Sequence, residues 1–472
     1  MTRTSFMYIR PILAAAVLGL ALSAGSSLAA IQEGEVVLRI LPGGSVNPIL
    51  QATQGSAVDS IVGKNAFLVD FPDSVPIDSI LAVLATRPGV LQAMRNNTLR
   101  IGEPYQISQS FPDQYHQPFL SGLSPTAYFG QATSCNIGLA DAHLLSEGGG
   151  VTVAVIDNGL AMTHSLFEGR IAPGLTDIVD DDNYPDEVLG EAYGHGTFVS
   201  GLVLLAAPDC SILPIRAFDG DGYSSSFYIA MAIWTAVHAG ADIINMSFGM
   251  TAADEFVAQA VTDAHSAGII MVAAVGNDSS ANATYPAAFS DVIAVSAFDS
   301  MEYATAWTNF GPHVDICAPG EKLYSALPGP YAWGTWSGTS FSAPLVAGLV
   351  ALVKSRAPDA PAAALHNAVL AAARDSLRWG VVTTPSDYYG WGAADALNAV
   401  LAWSRGDCDL SGAINVSDLT RLVGFLFRGD AAIEPDLRVA DVGCDNTVNI
   451  ADVTQLVAYM FRGGSIVVPC SY

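Results

Sequence analysis

Val151-Thr-Val-Ala-Val-Ile-Asp157-Asn-Gly159 is an apolar run closed by a carboxylate and a turn. Its β-branched residues favour extended backbone, and it lacks the polar alternation of a strand with one wet face, so both faces are expected to be buried. The same character returns in Ala241-Asp-Ile-Ile-Asn-Met246 and in Gly268 to Val275, with helix-length segments between. Such runs separated by helices imply an α/β architecture, a parallel sheet flanked by helices, from Val151 to about Trp403. Sheets of this kind build their sites at the C-terminal ends of the strands, which is where Asp157 falls.

Three further segments offer chemistry. Tyr193-Gly-His195-Gly-Thr-Phe-Val-Ser-Gly201 sets an imidazole between two glycines ahead of an apolar helix. Trp336-Ser-Gly-Thr-Ser340-Phe-Ser-Ala-Pro344 places a hydroxyl at a helix start, where backbone N–H groups favour negative charge. Met271-Val-Ala-Ala-Val-Gly-Asn277 ends a strand on a side-chain amide. A serine hydroxyl barely ionises at neutral pH. It needs a base within reach, and the base needs a carboxylate to hold its tautomer. Asp157, His195 and Ser340 supply these groups, and Asn277 supplies a donor for an oxyanion. Taken singly, each has a structural alternative: a helix cap for Ser340, a core or loop histidine for His195, a turn former for Asp157.

With Asp, His and Ser in that order, the chain resembles the subtilisin-like serine proteases, the subtilases, over roughly Gly138 to Trp403. The resemblance rests on Ile156-Asp157-Asn-Gly, Gly194-His195-Gly-Thr-Phe-Val-Ser-Gly, Asn245-Met-Ser-Phe-Gly249, Gly276-Asn277 and Gly338-Thr-Ser340-Phe-Ser-Ala-Pro344. It implies a subtilisin-like fold and a serine endopeptidase acting through an acyl-enzyme. It also implies a substrate strand paired with Asn245–Gly249 and a main specificity pocket lined by Ser247, Phe248, Gly249, Ala274 and Gly276. Thr284-Tyr-Pro-Ala287 would close that pocket. Asn158 stands where the family usually has Thr or Ser, Phe198 where it more often has His, and Thr284 where it often has Gly. A preference for medium apolar side chains is expected, with Asp278 at the rim favouring a cation. The rival reading is a non-enzymatic surface or scaffold-associated protein retaining the fold, and the presence of all four catalytic groups argues against it.

The last part of the chain is a repeat. Asp407-Cys-Asp-Leu-Ser-Gly-Ala-Ile-Asn-Val-Ser-Asp418 and its following helix realign on Asp441-Val-Gly-Cys-Asp-Asn-Thr-Val-Asn-Ile-Ala-Asp452, 34 residues later. In the first copy Asp407, Asp409, Ser411, the Ala413 carbonyl, Asn415 and Asp418 take the oxygen-bearing positions of a calcium loop, with Gly412 at its sharp turn. In the second, Asp441, Asp445, the Thr447 carbonyl, Asn449 and Asp452 repeat the set, but Gly443 brings no side-chain oxygen, so a weaker site is expected. Leu419, Leu422, Val423 and Leu426 would pack against the other copy. The pair resembles a small all-α dockerin type I module over Gly406 to Gly464. That resemblance implies Ca2+ and a cohesin-bearing scaffold or cell-surface partner, read by Val416-Ser417 and Ile450-Ala451. A calcium-stapled end domain without a partner is the open alternative. The acidic run Asp177-Ile-Val-Asp180-Asp-Asp-Asn-Tyr-Pro-Asp186-Glu187 has the oxygen density for a further Ca2+, or is a solvated loop.

Residues 1–29 carry Arg3 and Arg10, an apolar run and small residues up to Ala29, the pattern of a cleaved signal peptide. The protein is therefore expected to be secreted, with no transmembrane anchor after cleavage. Residues 35–102 alternate strand-like (Val36 to Ile40, Ala66 to Phe71, Thr98 to Ile101) and helix-like (Val46 to Ala52, Ile77 to Thr86) runs. They stand where a subtilase propeptide would, with a generic small domain as the alternative. Residues 103–133 read as a linker, 134–403 as the peptidase and 406–464 as the repeat module. Lys plus Arg number 19 against 45 Asp plus Glu, a net −26, which repels phosphate backbones and argues against nucleic-acid binding. In an exported chain the six cysteines permit disulfides. Cys210 and Cys317, in apolar surroundings, read as buried free thiols, and Cys408, Cys444 and Cys470 as candidates for a disulfide.

Overall fold

A computed structural model describes residues 34–72, 74–101, 128–131, 136–329, 332–411, 413–429, 432–433 and 436–462. The expected signal peptide, most of the linker, Gly412, Cys135 and Cys470 lie outside these residues.

The central sheet has seven strands in the order Ile316–Pro319, Val292–Phe298, Ile270–Ala274, Ile243–Met246, Thr152–Asp157, Ser211–Arg216 and Thr176–Asp177. Every pairing is parallel. Alternate residues of Thr152–Asp157 enter two different cores. Val153 and Val155 face the layer holding the helices His195–Ala206, Thr339–Arg356 and Ala396–Ser404. Ala154 and Ile156 face the layer holding Ser226–Ala239 and Glu255–Ser266. This accounts for the missing polar alternation in the sequence. The helix Thr339–Arg356 is buried from Thr339 through Val353, and all of His195–Ala206 is buried, so the two carriers of the hydroxyl and the imidazole run through the interior. Burial on this scale fixes both helices, because each fully covered Leu, Val or Phe contributes roughly 1.5–3 kcal/mol.

Residues 34–101 form an antiparallel four-stranded sheet, ordered Ser56–Ile61, Ala66–Asp70, Glu35–Ile40 and Val90–Arg95, with the helices Asn47–Thr53 and Ile77–Ala85. Val36, Leu38 and Ile40 pack with Ile80 and Leu84 in a core of their own, while Val37, Ile61 and Leu68 turn to the larger core. The sequence pattern missed two of these strands. Ser56–Ile61 and Val90–Arg95 are edge strands with mostly exposed or half-buried side chains, so they carry little apolar signal. The tail Thr98–Arg100 leaves this unit and pairs antiparallel with Tyr223–Ser225.

The linker ends earlier than its composition implies: Tyr128 is fully buried in the main core, its ring tilted against Trp333 at 5.0 Å between centroids. The repeat forms the helices Val416–Arg428 and Ile450–Arg462 around Cys408, Leu422, Ala440, Val442 and Leu456, with Leu419 and Leu426 packed against them. Val423 is half-buried and stands outside that cluster. Cys210 and Cys317 are buried free thiols. Of the disulfide candidates, Cys444 is disulfide-bonded, whereas Cys408 is a buried free thiol, its pKa pushed by burial to about 12. Among the described residues no helix is long and apolar enough to cross a membrane.

Candidate active site

Asp157 is the last residue of its strand, and Ser247 and Asn277 follow the ends of neighbouring parallel strands, so one edge of the sheet gathers all three. His195 opens its helix beside Asp157. Its Nδ1 donates to Asp157 Oδ1 at 2.8 Å and lies 3.0 Å from Oδ2. A carboxylate that takes Nδ1–H leaves Nε2 as the basic nitrogen. Asp157, His195 and Ser340 are only 1%, 0% and 2% exposed, in a site from which water is largely excluded. Trp336 and Phe341 pack around the imidazole, and Phe198 closes the aromatic cluster against both. The departure from His at position 198 thus serves packing.

Ser340 is seated by Pro344. In a helix the Ser340 carbonyl would take the N–H of residue 344, but proline has none. The freed carbonyl accepts from Ser247 Oγ at 2.7 Å, and Ser340 Oγ in turn stands 3.1 Å from the Ser247 carbonyl. Asn245 Nδ2 donates to Ser247 Oγ at 2.9 Å and completes the brace. Asn277 is oriented by Thr339, whose N–H and hydroxyl both donate to its Oδ1, at 2.9 and 3.0 Å. With its oxygen so engaged, the Asn277 amide presents its NH2 as the outward donor.

The expected pocket residues divide into two groups. Phe248 and Ala274 are buried in the cores, Phe248 against Phe218, so only their backbones are available to a pocket. Ser247 serves Ser340. Gly249 and Gly276 both approach Thr284: a Cβ on Gly249 would lie 2.3 Å from Thr284 Cγ2, and one on Gly276 would lie 2.5 Å from Asn309 Nδ2 and 3.4 Å from Thr284 Oγ1. Asn309 also donates to Thr284 Oγ1 at 3.3 Å, and the Met250–Tyr285 backbone pair holds Thr284 in place. Asp278 is exposed nearby, its N–H donating to Asn309 Oδ1. Along the same cleft Arg100 bridges Gly249 in antiparallel sense, Ile101 N–H donates to Gly222 O at 2.9 Å, and Leu99 and Ile101 are buried.

Sequence reasoning missed Glu187, Thr339 and Asn309. Glu187 lies in an acidic run, Asn309 in no motif at all, and Thr339 reads in the sequence only as a neighbour of Ser340. Glu187 takes the N–H groups of Gly194 and Thr197. Burial of its carboxyl raises the pKa from 4.5 to about 8, against the lowering pull of those donors.

In the first repeat, carboxylate oxygens of Asp407, Asp409 and Asp418 all lie within 4.8 Å of one another, the one such cluster among the described residues. Ser411 Oγ and Asn415 Nδ2 meet the Ala413 carbonyl beside them. Three crowded carboxylates with hard oxygen neighbours fit a calcium ion. The second loop keeps the backbone scaffold: Asp418 takes the N–H groups of Asp409 and Asn415, and Asp452 those of Gly443 and Asn449. Its acids Asp441, Asp445 and Asp452 do not form a three-carboxylate cluster, since Gly443 replaces the acid at the third position. In the acidic run, Asp177 and Asp180 each give one carboxylate oxygen to Arg216.

A model described as the subtilase family matches residues 148–392. A thermophilic serine proteinase of Bacillus sp. (strain AK1) is 33% identical over 302 residues, covering 60% of this chain and 71% of that protein. Thermitase of Thermoactinomyces vulgaris is 33% identical over 226 residues, 46% of this chain and 79% of its own. The crystal structure of fervidolysin from Fervidobacterium pennivorans, a keratinolytic enzyme related to subtilisin, superposes with a TM-score of 0.64 at 21% identity, covering 80% of this chain and 62% of that one.

Proposed function

Since the chain belongs to the subtilase family and is a serine endopeptidase, we propose that Ser340 is its nucleophile, His195 its general base, Asp157 the residue that orients His195, and Asn277 an oxyanion donor. The observation that carries this reading is the buried 2.8 Å bond from His195 to Asp157. Ser340 Oγ attacks the scissile carbonyl while its proton passes to His195 Nε2. The Asn277 NH2 and the Ser340 N–H hold the resulting oxyanion, and His195 returns the proton to the leaving amine. Water then repeats the sequence on the acyl-enzyme.

Residues 35–102 act as a propeptide, and Thr98–Ile101 as its inhibitory strand. The strand's antiparallel pairing with Tyr223–Ser225 and its bridge to Gly249 support this. The protein is secreted as a precursor and cleaved between Gly102 and Thr133. Thr284 shortens the pocket between Gly249 and Gly276, so cleavage follows small to medium apolar side chains. The C-terminal module is dockerin-like. Ca2+ held by Asp407, Asp409, Ser411, Ala413, Asn415 and Asp418, and more weakly by Asp441, Asp445, Thr447, Asn449 and Asp452, supplies charge neutralisation that locks the loops. Val416 and Ile450, 34 residues apart and both exposed, are the residues offered to a cohesin-bearing scaffold.

Casein hydrolysis by wild type and Ser340→Ala, each with calcium and with chelator, tests the reading when joined to mass spectrometry of the N-terminus. Activity lost in the alanine variant and a new N-terminus after Ile101 are expected. An unprocessed and inactive wild type in calcium would overturn the precursor reading.

A further inference from the structure

The helix that carries His195 has no cap of its own: its N-cap is Gly194, with φ 99° and no side chain. A helix leaves its first N–H groups without intrahelical partners, and buried ones left unmet cost free energy. Here each is met from elsewhere. The Ala192 carbonyl takes the His195 N–H at 3.0 Å, Asn158 Oδ1 takes that of Gly196 at 2.9 Å, and Glu187 Oε1 takes that of Thr197 at 2.6 Å. Glu187 Oε2 takes the Gly194 N–H, also at 2.6 Å.

Both side chains that accept in these caps are tied to the Asp157 turn. Asn158 is its chain neighbour and donates its own N–H to Asp157 Oδ1 at 2.8 Å, while its Nδ2 donates to Ala192 O at 2.7 Å. The Glu187 loop joins the same turn through Leu160 N–H to Pro185 O, at 2.8 Å. The turn and the helix are in backbone contact, since a Cβ on Gly196 would lie 2.1 Å from the Gly159 carbonyl oxygen.

We propose that Glu187 and Asn158 are positioning residues: a split N-cap that clamps the first turn of the His195 helix onto the Asp157–Gly159 turn and thereby sets the His195–Asp157 geometry. This rests on His195 being the general base. Asp157 and His195 belong to different elements, so their bond holds only as well as those elements are held together. Asn158 contributes an acceptor and a donor from one side chain, which Thr or Ser at that position would not match in reach. In its carboxylate form, populated above a pKa of about 8, Glu187 contributes two acceptor oxygens to two N–H groups. Glutamine has the same size but a single acceptor, and its NH2 would oppose one of those N–H groups.

The test compares wild type, Glu187→Gln and Asn158→Ala above pH 8, where Glu187 is ionised, with turnover of a chromogenic peptide counted per serine labelled by a fluorophosphonate. Both variants are expected to lower kcat about 10- to 100-fold, the size of effect a small misplacement of a catalytic group produces. KM should stay within about twofold, because the loss falls on the transition state. In parallel, the far-downfield proton resonance of His195 Nδ1–H should shift or broaden in each variant. Wild-type kcat with an unchanged resonance in Glu187→Gln would overturn the proposal, leaving Glu187 as a space filler. The resonance needs no turnover, so a wild type that shows it yet cleaves nothing would count against the protease reading alone.

Discussion

Asp157 accepts from the Asn158 N–H and from His195 Nδ1 through the same carboxylate, which is why a single residue can hold both a turn and an imidazole. The four residues proposed to carry the chemistry, Asp157, His195, Ser340 and Asn277, could be picked out in the sequence, because each sits beside glycines or a strand end. The residues that aim them were not. Thr339, Glu187 and Asn309 act through contacts to backbone and side-chain atoms brought together only by the fold, and no spacing announces them. For Asn277, alanine removes the donor that Thr339 aims, and kcat is expected to fall by ~10²–10³ with KM little changed. Steady-state kinetics on a peptide substrate check this, and an unchanged kcat would remove Asn277 from the mechanism. A second residue reports on pH. Burial raises the Asp315 carboxyl from 3.8 to about 6, although Ala294 N–H donates to it. A raised carboxyl pKa means that the folded state binds the proton more tightly than the unfolded chain, so its stabilising contribution is complete below the unfolded value and lost as pH rises through about 6. Asparagine keeps the acceptor without the charge. Asp315→Asn should therefore exceed wild type at pH 8 by at most ~2–3 kcal/mol and show no advantage near pH 3.5. Thermal melts at the two pH values decide, and an equal offset at both would contradict the sign.

Elements show the same division. The buried strands and the long apolar helices could be read directly, since residues covered on all sides have no reason to alternate. Edge strands such as Ser56–Ile61 could not, because their pairing comes from a neighbour rather than from their own side chains. The helix Glu255–Ser266 illustrates how caps extend across units. Asp254 Oδ1 takes the N–H groups of Phe256 and Val257 at 2.9 and 3.1 Å, while Oδ2 accepts from Asn97 Nδ2 at 2.6 Å. The N-terminal unit thus grips a helix cap of the peptidase, and Asn96 Oδ1 similarly takes the Phe227 N–H of the neighbouring helix. Asp254→Ala should cost about 1–2 kcal/mol through the lost cap. It should also weaken binding of separately added residues 34–101 to the peptidase. Denaturant melts and a titration measure the two effects, and loss of neither would mean that the cap is replaced by water.

Across the whole molecule the repeat is joined to the peptidase by buried contacts. Val439 belongs to the main core, Gly406 N–H donates to Val439 O, and Arg405 donates to the Arg438 and Asp441 carbonyls. Arg356, at the far end of the helix that begins with Thr339 and Ser340, pairs with Asp407 of the first loop. The repeat was legible as a repeat, but this docking was not, because it depends on arginines outside the repeated unit. If calcium locks the loops, its removal should be felt by the whole chain. Chelation is expected to lower a single calorimetric Tm by about 3 °C, the shift that ~2 kcal/mol gives a cooperative unit of roughly 300 residues. Two separate transitions, with the upper one indifferent to chelator, would mean that the module is only tethered. The central claim is that Ser340 is the activated nucleophile, and the most direct measurement is fluorophosphonate labelling followed by peptide mapping. The account predicts one labelled residue, Ser340, with labelling abolished in Ser340→Ala and strongly slowed in His195→Ala. Label on another serine, or an undiminished rate in His195→Ala, would contradict it.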